Sequence, residues 1–171
     1  MRTMNDTILA LDPGLRDLGY AVLHGRRLVT SGVLGLRRVP KAERLPSARQ
    51  HVRSWLRTHR PDVVVVEKTY RHPVPWLDQL HRLSRSAKNL ATRQHADFAM
   101  YSPQSVRATV TGNGKAKKPE VAIAVAHRYP SLRVYLTQDR RWKERYWQNM
   151  FDAVALAIHH QRSQHPPSRG R

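Results

Sequence analysis

The chain has no cysteine at all, which excludes disulfides, thiolate catalysis and Cys-ligated zinc. It has no apolar run long enough to cross a bilayer, and its amino terminus lacks the apolar core of a secretory signal. A cytoplasmic protein without a membrane partner is therefore expected. No internal repeat marks a second domain. Acids are scarce: 12 Asp and Glu stand against 31 Lys and Arg in 171 residues, a formal net charge of +19 with a pI near 11.5. A field of that size attracts polyanions. Nucleic acid is the partner it fits, because each neutralised phosphate releases counterions. An amphipathic anchor with a bulky apolar face is missing as well, which disfavours a lipid surface. The ten histidines form no group with metal-ligand spacing. Because acids are so few, any acid in an apolar setting calls for a reason.

What is present begins with Thr7-Ile8-Leu9-Ala10-Leu11-Asp12, followed at once by Pro13-Gly14. A short apolar run bounded by turn residues reads as a buried strand. Residues 18–23 and 28–34 read as two more strands joined at Gly25-Arg26, making an antiparallel meander. Residues 37–45 are basic and polar, and residues 48–59 place Val52, Trp55 and Leu56 on one helix face. The run Val63-Val64-Val65-Val66 reads as a strand buried on both faces, as in the parallel part of a mixed sheet, and ends in Glu67. A basic helix is expected over 76–94 and a strand over 98–101. Ser102-Pro103 is a helix start, with Ser as N-cap and Pro in the first turn. The loop from Thr111 to Lys118 reads as flexible and basic, and Pro119 opens a further helix. The last helix is expected over 145–161. One domain over residues 1–161 and a basic disordered tail over 162–171 complete the reading.

Three acids stand out. Asp12 and Glu67 end buried-looking strands, and Asp152 lies inside the apolar run of the last helix. If the strands are neighbours and the helix packs on their ends, the carboxylates converge. Unpaired carboxylates in one place repel strongly and require cations, and hard oxygen donors suit magnesium or manganese. Asn149, three residues before Asp152, shares its helix face. The alternatives are a turn start at Asp12 and three separate ion pairs with the abundant Arg and Lys.

Leu11-Asp12-Pro13-Gly14-Leu15-Arg16 with Gly19-Tyr20 resembles the opening motif of the RuvC-type Holliday junction resolvases. The resemblance continues in order through Pro61-Asp62 and the valines to Glu67, then Tyr101-Ser102-Pro103 and Val106-Arg107. It runs on through the block from Val110 to Lys118 and closes on residues 152–158 with His160. It implies a ribonuclease-H-like α/β fold, a five-stranded mixed sheet (antiparallel meander plus parallel strands) flanked by helices. It also implies a homodimer that resolves four-way DNA junctions by paired symmetric nicks, with two Mg2+ or Mn2+ ions per active site. By motif position Asp12, Glu67 and Asp152 are catalytic metal ligands. Asn149 falls where many members carry a further acid; an amide oxygen can ligate but brings no charge and cannot act as a base. Arg107 and Lys118 match basic positions near the scissile phosphate.

Tyr70 matches a position where the family carries an aromatic, whose ring could stack on an unpaired base, or is a core or helix-start tyrosine. Gly112, Lys115 and Lys117 suit close backbone approach to phosphate. His160 matches a position that could order a metal-bound water, or is a helix-end histidine. The segments 71–76 and 82–88 depart from the family pattern in the region that contributes to its dimer interface. Two rival functions follow: a less selective nuclease on flaps or forks, and a catalytically weak junction-binding protein with Asn149 as its degenerate position.

Overall fold

The computed structural model describes residues 6–14, 16–69, 75–136 and 141–164, the side chains of 75–77 and 141–145 excepted. Tyr70 and most of the turn after it, and residues 165–171 of the expected tail, lie outside the described residues. Five strands, β1 (Thr7–Pro13), β2 (Asp17–His24), β3 (Arg27–Gly35), β4 (Val63–Glu67) and β5 (Asp97–Tyr101), form one sheet in the order β3-β2-β1-β4-β5. β1, β2 and β3 pair antiparallel, whereas β4 lies parallel to β1 and β5 parallel to β4. The expected mixed sheet is therefore present, its parallel members joined by helical crossovers as parallel pairing requires.

Strand alternation sorts the core into two halves. Ile8 and Ala10 of β1 and Val63 and Val65 of β4 face one layer, made by α3 (Pro103–Thr111), α4 (Lys118–Arg128) and α5 (Arg141–Gln164). Leu9, Leu11, Val64 and Val66 face the other, made by α1 (Arg44–His59) and α2 (Pro75–Arg93). The valine run is thus buried on both sides. From Met150 to Ile158 every α5 residue but Asp152 is at most 2% exposed, as expected of a helix with helices on one side and a sheet on the other.

Two boundaries differ from the sequence expectation. α1 begins at Arg44, because Pro46 falls in its first turn, where a missing N–H costs no hydrogen bond. α5 begins at Arg141 and runs to Gln164, three residues into the expected tail. Its last turn is held by Arg162 Nη1 donating to Thr109 O at 2.6 Å and Ser163 Oγ donating to His159 O at 2.8 Å. The polar stretch before it contains a 3-10 turn over Pro130–Tyr135.

α5 crosses β2 at Gly19. A Cβ there would collide with the backbone carbonyl of Asn149, and a backbone atom cannot step aside as a flexible side chain can. Gly19→Ala is expected to cost about 3 kcal/mol or more, at the upper end of overpacking effects. Calorimetric melting of the variant checks it.

Candidate active site

The sheet brings the first two acids together. Leu11 of β1 pairs with Val66 of β4 in parallel register, so the next residue on each strand, Asp12 and Glu67, emerges at the same edge. Both continue the alternation of Ala10 and Val65 and therefore face α5. On its other side Asp12 is opposite Gly19, where the missing side chain lets α5 press onto the sheet at Asn149. One turn on, α5 delivers Asp152 above the strand ends.

The three acids are close enough to act on one another electrostatically. Asp12, 9% exposed, is raised well above the ordinary carboxylate range by burial first, then by the charges of Asp152 and Glu67, with Lys118 opposing. Burial, then Asp152, pushes Glu67 up to about 7 against the pull of Lys118 and Arg107. Lys118, the first residue of α4, holds its Nζ 3.3 Å from Asp152 Oδ2. Burial works against its ammonium, yet Asp152, Asp12 and Glu67 together raise its pKa. The other Asp152 oxygen, Oδ1, accepts from Gln148 Nε2 at 2.9 Å. Among the described residues no three Asp, Glu or His side chains stand in mutual ligand geometry. The acids meet as interacting charges, with Lys118 paired to Asp152.

The remaining expected residues sort by distance from this centre. Arg107 on α3 is near enough to Glu67 to stabilise its ionised form. Asn149 donates from Nδ2 to Asp17 O at 3.0 Å and lies against Gly14 in the turn after Asp12. Gly112 caps α3 in the left-handed region at φ +80°, a conformation that favours glycine. Lys115 and Lys117 are exposed on the connection to α4.

That connection is more ordered than its glycines suggest. Ala116 is 1% exposed, Asn113 Oδ1 accepts from Lys115 N at 2.9 Å, and Glu120 Oε2 accepts from Lys117 N at 2.6 Å. His159 and His160 are inside α5 rather than at its end. His160 Nδ1 lies 2.8 Å from Tyr101 Oη; His159 Nδ1 lies 2.6 Å from Thr109 Oγ1 and its pKa is lowered by burial.

Two residues were not foreseen. Gln148 orients Asp152, and its only sequence signal is the i, i+4 spacing on one helix face. Asp17 is, beside Asp12, the other buried acid among the described residues, 5% exposed, but Arg37 neutralises it with Nε and Nη2 at 3.0 and 2.7 Å from Oδ2. Nothing in its sequence surroundings separates it from an ordinary turn acid.

A mixed sheet whose central parallel strands end in acids, with a third acid delivered by a covering helix, places three carboxylates at one edge of a ribonuclease-H-like fold. The family model for the crossover junction endodeoxyribonuclease RuvC matches residues 8–160, and the chain belongs to that family. The RuvC of Streptomyces coelicolor is 35% identical over 126 residues, 69% of this chain and 66% of the relative, just under two thirds of its length. The RuvC of Frankia alni is 32% identical over 163 residues, 90% of this chain and 76% of the relative. The fold is shared with T. thermophilus RuvC solved in complex with a Holliday junction substrate, at TM-score 0.72 and 23% identity, covering 91% of this chain and 92% of that one.

Proposed function

We propose that the chain is a structure-selective endonuclease that resolves four-way DNA junctions by hydrolysing phosphodiesters, acting as a homodimer that nicks two opposed strands symmetrically. The observation that carries the reading is the meeting of Asp12, Glu67 and Asp152 at one sheet edge with basic side chains around them. Family membership supports the junction as substrate, and a two-fold enzyme suits a two-fold substrate.

The donor set is oxygen only, Asp12 is buried and Glu67 and Asp152 half-buried, and their mutual repulsion is only partly relieved by Lys118. That chemistry fits a hard divalent cation, Mg2+ or Mn2+. Asp12, Glu67 and Asp152 would hold it once drawn together by the cation, with the Asn149 amide oxygen as a neutral fourth donor; two ions per site is what the family resemblance implies. When bound, such ions supply an activated water and stabilisation of the leaving oxygen. The protein's own part is positional. The parallel β1–β4 register sets the Asp12–Glu67 spacing, Gln148 orients Asp152, and Lys118 and Arg107 attract the phosphate. Lys115 and Lys117 extend the basic surface along the DNA, Gly112 lets the backbone approach a phosphate, and Tyr70 supplies a ring for an unpaired base.

The test is cleavage of a labelled mobile four-way junction beside linear duplex and flap controls, in magnesium, manganese or chelator. Paired symmetric nicks on the junction alone are expected, and none in chelator. Tight binding without nicks in either metal would leave a junction-binding protein; equal cutting of all substrates would remove the selectivity.

Asn149 allows a separate prediction. An acid in its place loses the donor to Asp17 O and sets a carboxylate against a carbonyl. Asn149→Asp is expected to lower stability in chelator by about 1–3 kcal/mol and to gain more than wild type on addition of Mn2+. Paired melting curves with and without the metal check both signs.

A further inference from the structure

Between Leu36 and Pro61 the chain carries eight Lys and Arg and a single acid, Glu43. Half of these, Arg44, Arg49, Arg53 and Arg57, fall on α1, which contains no acid. Arg49, Arg53 and Arg57 follow one another at every fourth residue, within about 80° of helix arc, and all three are exposed. Other arginines are engaged: Arg37 with Asp17, Arg44 with Val39 O, Arg128 with Gln161 and Arg162 with Thr109 O. Among the described residues no ion pair or hydrogen bond engages Arg49, Arg53 or Arg57. Like charges four apart cost a helix roughly 0.2–0.5 kcal/mol per pair. The pattern therefore works against the helix that carries it, whereas a solvated helix face ordinarily interleaves acids.

The stripe has a direction. Arg44, at the start of α1, shares a small cavity with Gly14, which follows Asp12 closely in sequence. The far end, Arg60, adjoins Asp62, whose Oδ2 accepts from Thr7 N at the start of β1. α1 thus runs from the catalytic edge of the sheet to the opposite edge, with the arginines stepping away at intervals of about 6 Å. One strand of duplex DNA advances about 3.4 Å per phosphate, so the steps match alternate phosphates.

We propose that Arg49, Arg53 and Arg57 form a second DNA-binding face that holds the phosphate backbone of a duplex arm leaving the catalytic edge. The proposal rests on the nuclease reading for its substrate. It adds a sequence-independent contact outside the carboxylate centre and the Gly112–Lys118 block.

The experiment measures binding in chelator, by fluorescence anisotropy, to a four-way junction and to a linear duplex across a salt series. The Arg49→Gln, Arg53→Gln, Arg57→Gln triple variant is compared with wild type and with its Lys counterpart, which keeps the charge. A charge-matched control replaces Arg26, Arg27 and Arg133, which are also exposed, by Gln. The Gln stripe variant is expected to flatten the slope of log affinity against log salt by about 2–3 and to lose at least tenfold in affinity at about 0.1 M salt. The Lys variant should keep most of the slope, and the control should change it by less than about 1. Cleavage at saturating protein should stay within twofold of wild type. An unchanged slope, or an equal loss in the control, overturns the proposal. If wild type fails to cut junctions but the stripe variant still flattens the duplex slope, the nuclease reading fails and the DNA face stands.

Discussion

Asp12→Asn is expected to lose junction cleavage by about a thousandfold or more while still binding the junction. Asp12 is the most enclosed of the three acids, and its carboxylate is flanked by Glu67 and Asp152. Asn keeps the shape and one oxygen but removes the charge that would hold a divalent cation. Loss of several kcal/mol of charge stabilisation at the reacting phosphate corresponds to about 10³-fold in rate. Binding should survive because the basic groups are untouched, and should tighten several-fold because one negative charge near the phosphate is gone. Single-turnover cleavage and anisotropy in chelator measure the two effects separately. A variant that cuts within tenfold of wild type would remove Asp12 from the chemistry. One that neither cuts nor binds would point to misfolding, which its melting curve would reveal.

Glu67→Gln is expected to abolish cleavage to a similar degree and, in chelator, to make the protein more stable. The folded carboxyl of Glu67 is pushed up to about 7 from an ordinary 4.5. Between those values the folded chain binds more protons than the unfolded one, so stability falls as pH rises through the window and stays lower above it. Asp12 is shifted in the same direction. Lys118, raised from 10.5, remains charged throughout and adds no slope.

Wild type in chelator should therefore melt lower at pH 8 than at pH 5. Glu67→Gln should flatten that dependence and gain on the order of 2 kcal/mol at pH 8, about 4–8 °C for a chain of this size. Manganese should restore wild type at pH 8 and do little for the variant, because binding at this site requires ionised carboxylates. A steeper loss of stability with pH in the variant than in wild type would contradict the assignment of Glu67 to the repelling cluster.

Asn149 and Lys118 show why position in sequence is not yet a role. Asn149 shares a helix face with Asp152, as its spacing requires, but its amide nitrogen is spent on Asp17 O, a partner more than a hundred residues away in sequence. Lys118 is one lysine among three in a basic loop by composition, yet it alone of the three pairs with Asp152. Asp17 looks like Asp12 in sequence, an acid beside a turn, but Arg37 pairs with it and leaves it outside the catalytic cluster.

The sequence by itself determined the strands, the order of the main helices and the three acids, because alternation, valine runs and turn residues are local signals. An acid at the end of an apolar strand is conspicuous among so few acids. Only the tertiary structure decided that Asp12 and Glu67 emerge side by side, since that depends on the parallel register of Leu11 with Val66. It likewise decided that α5 sits close enough to join them, since that depends on the missing side chain at Gly19. Register and close approach are relations between distant segments, and no local pattern encodes the distance at which two carboxylates begin to repel.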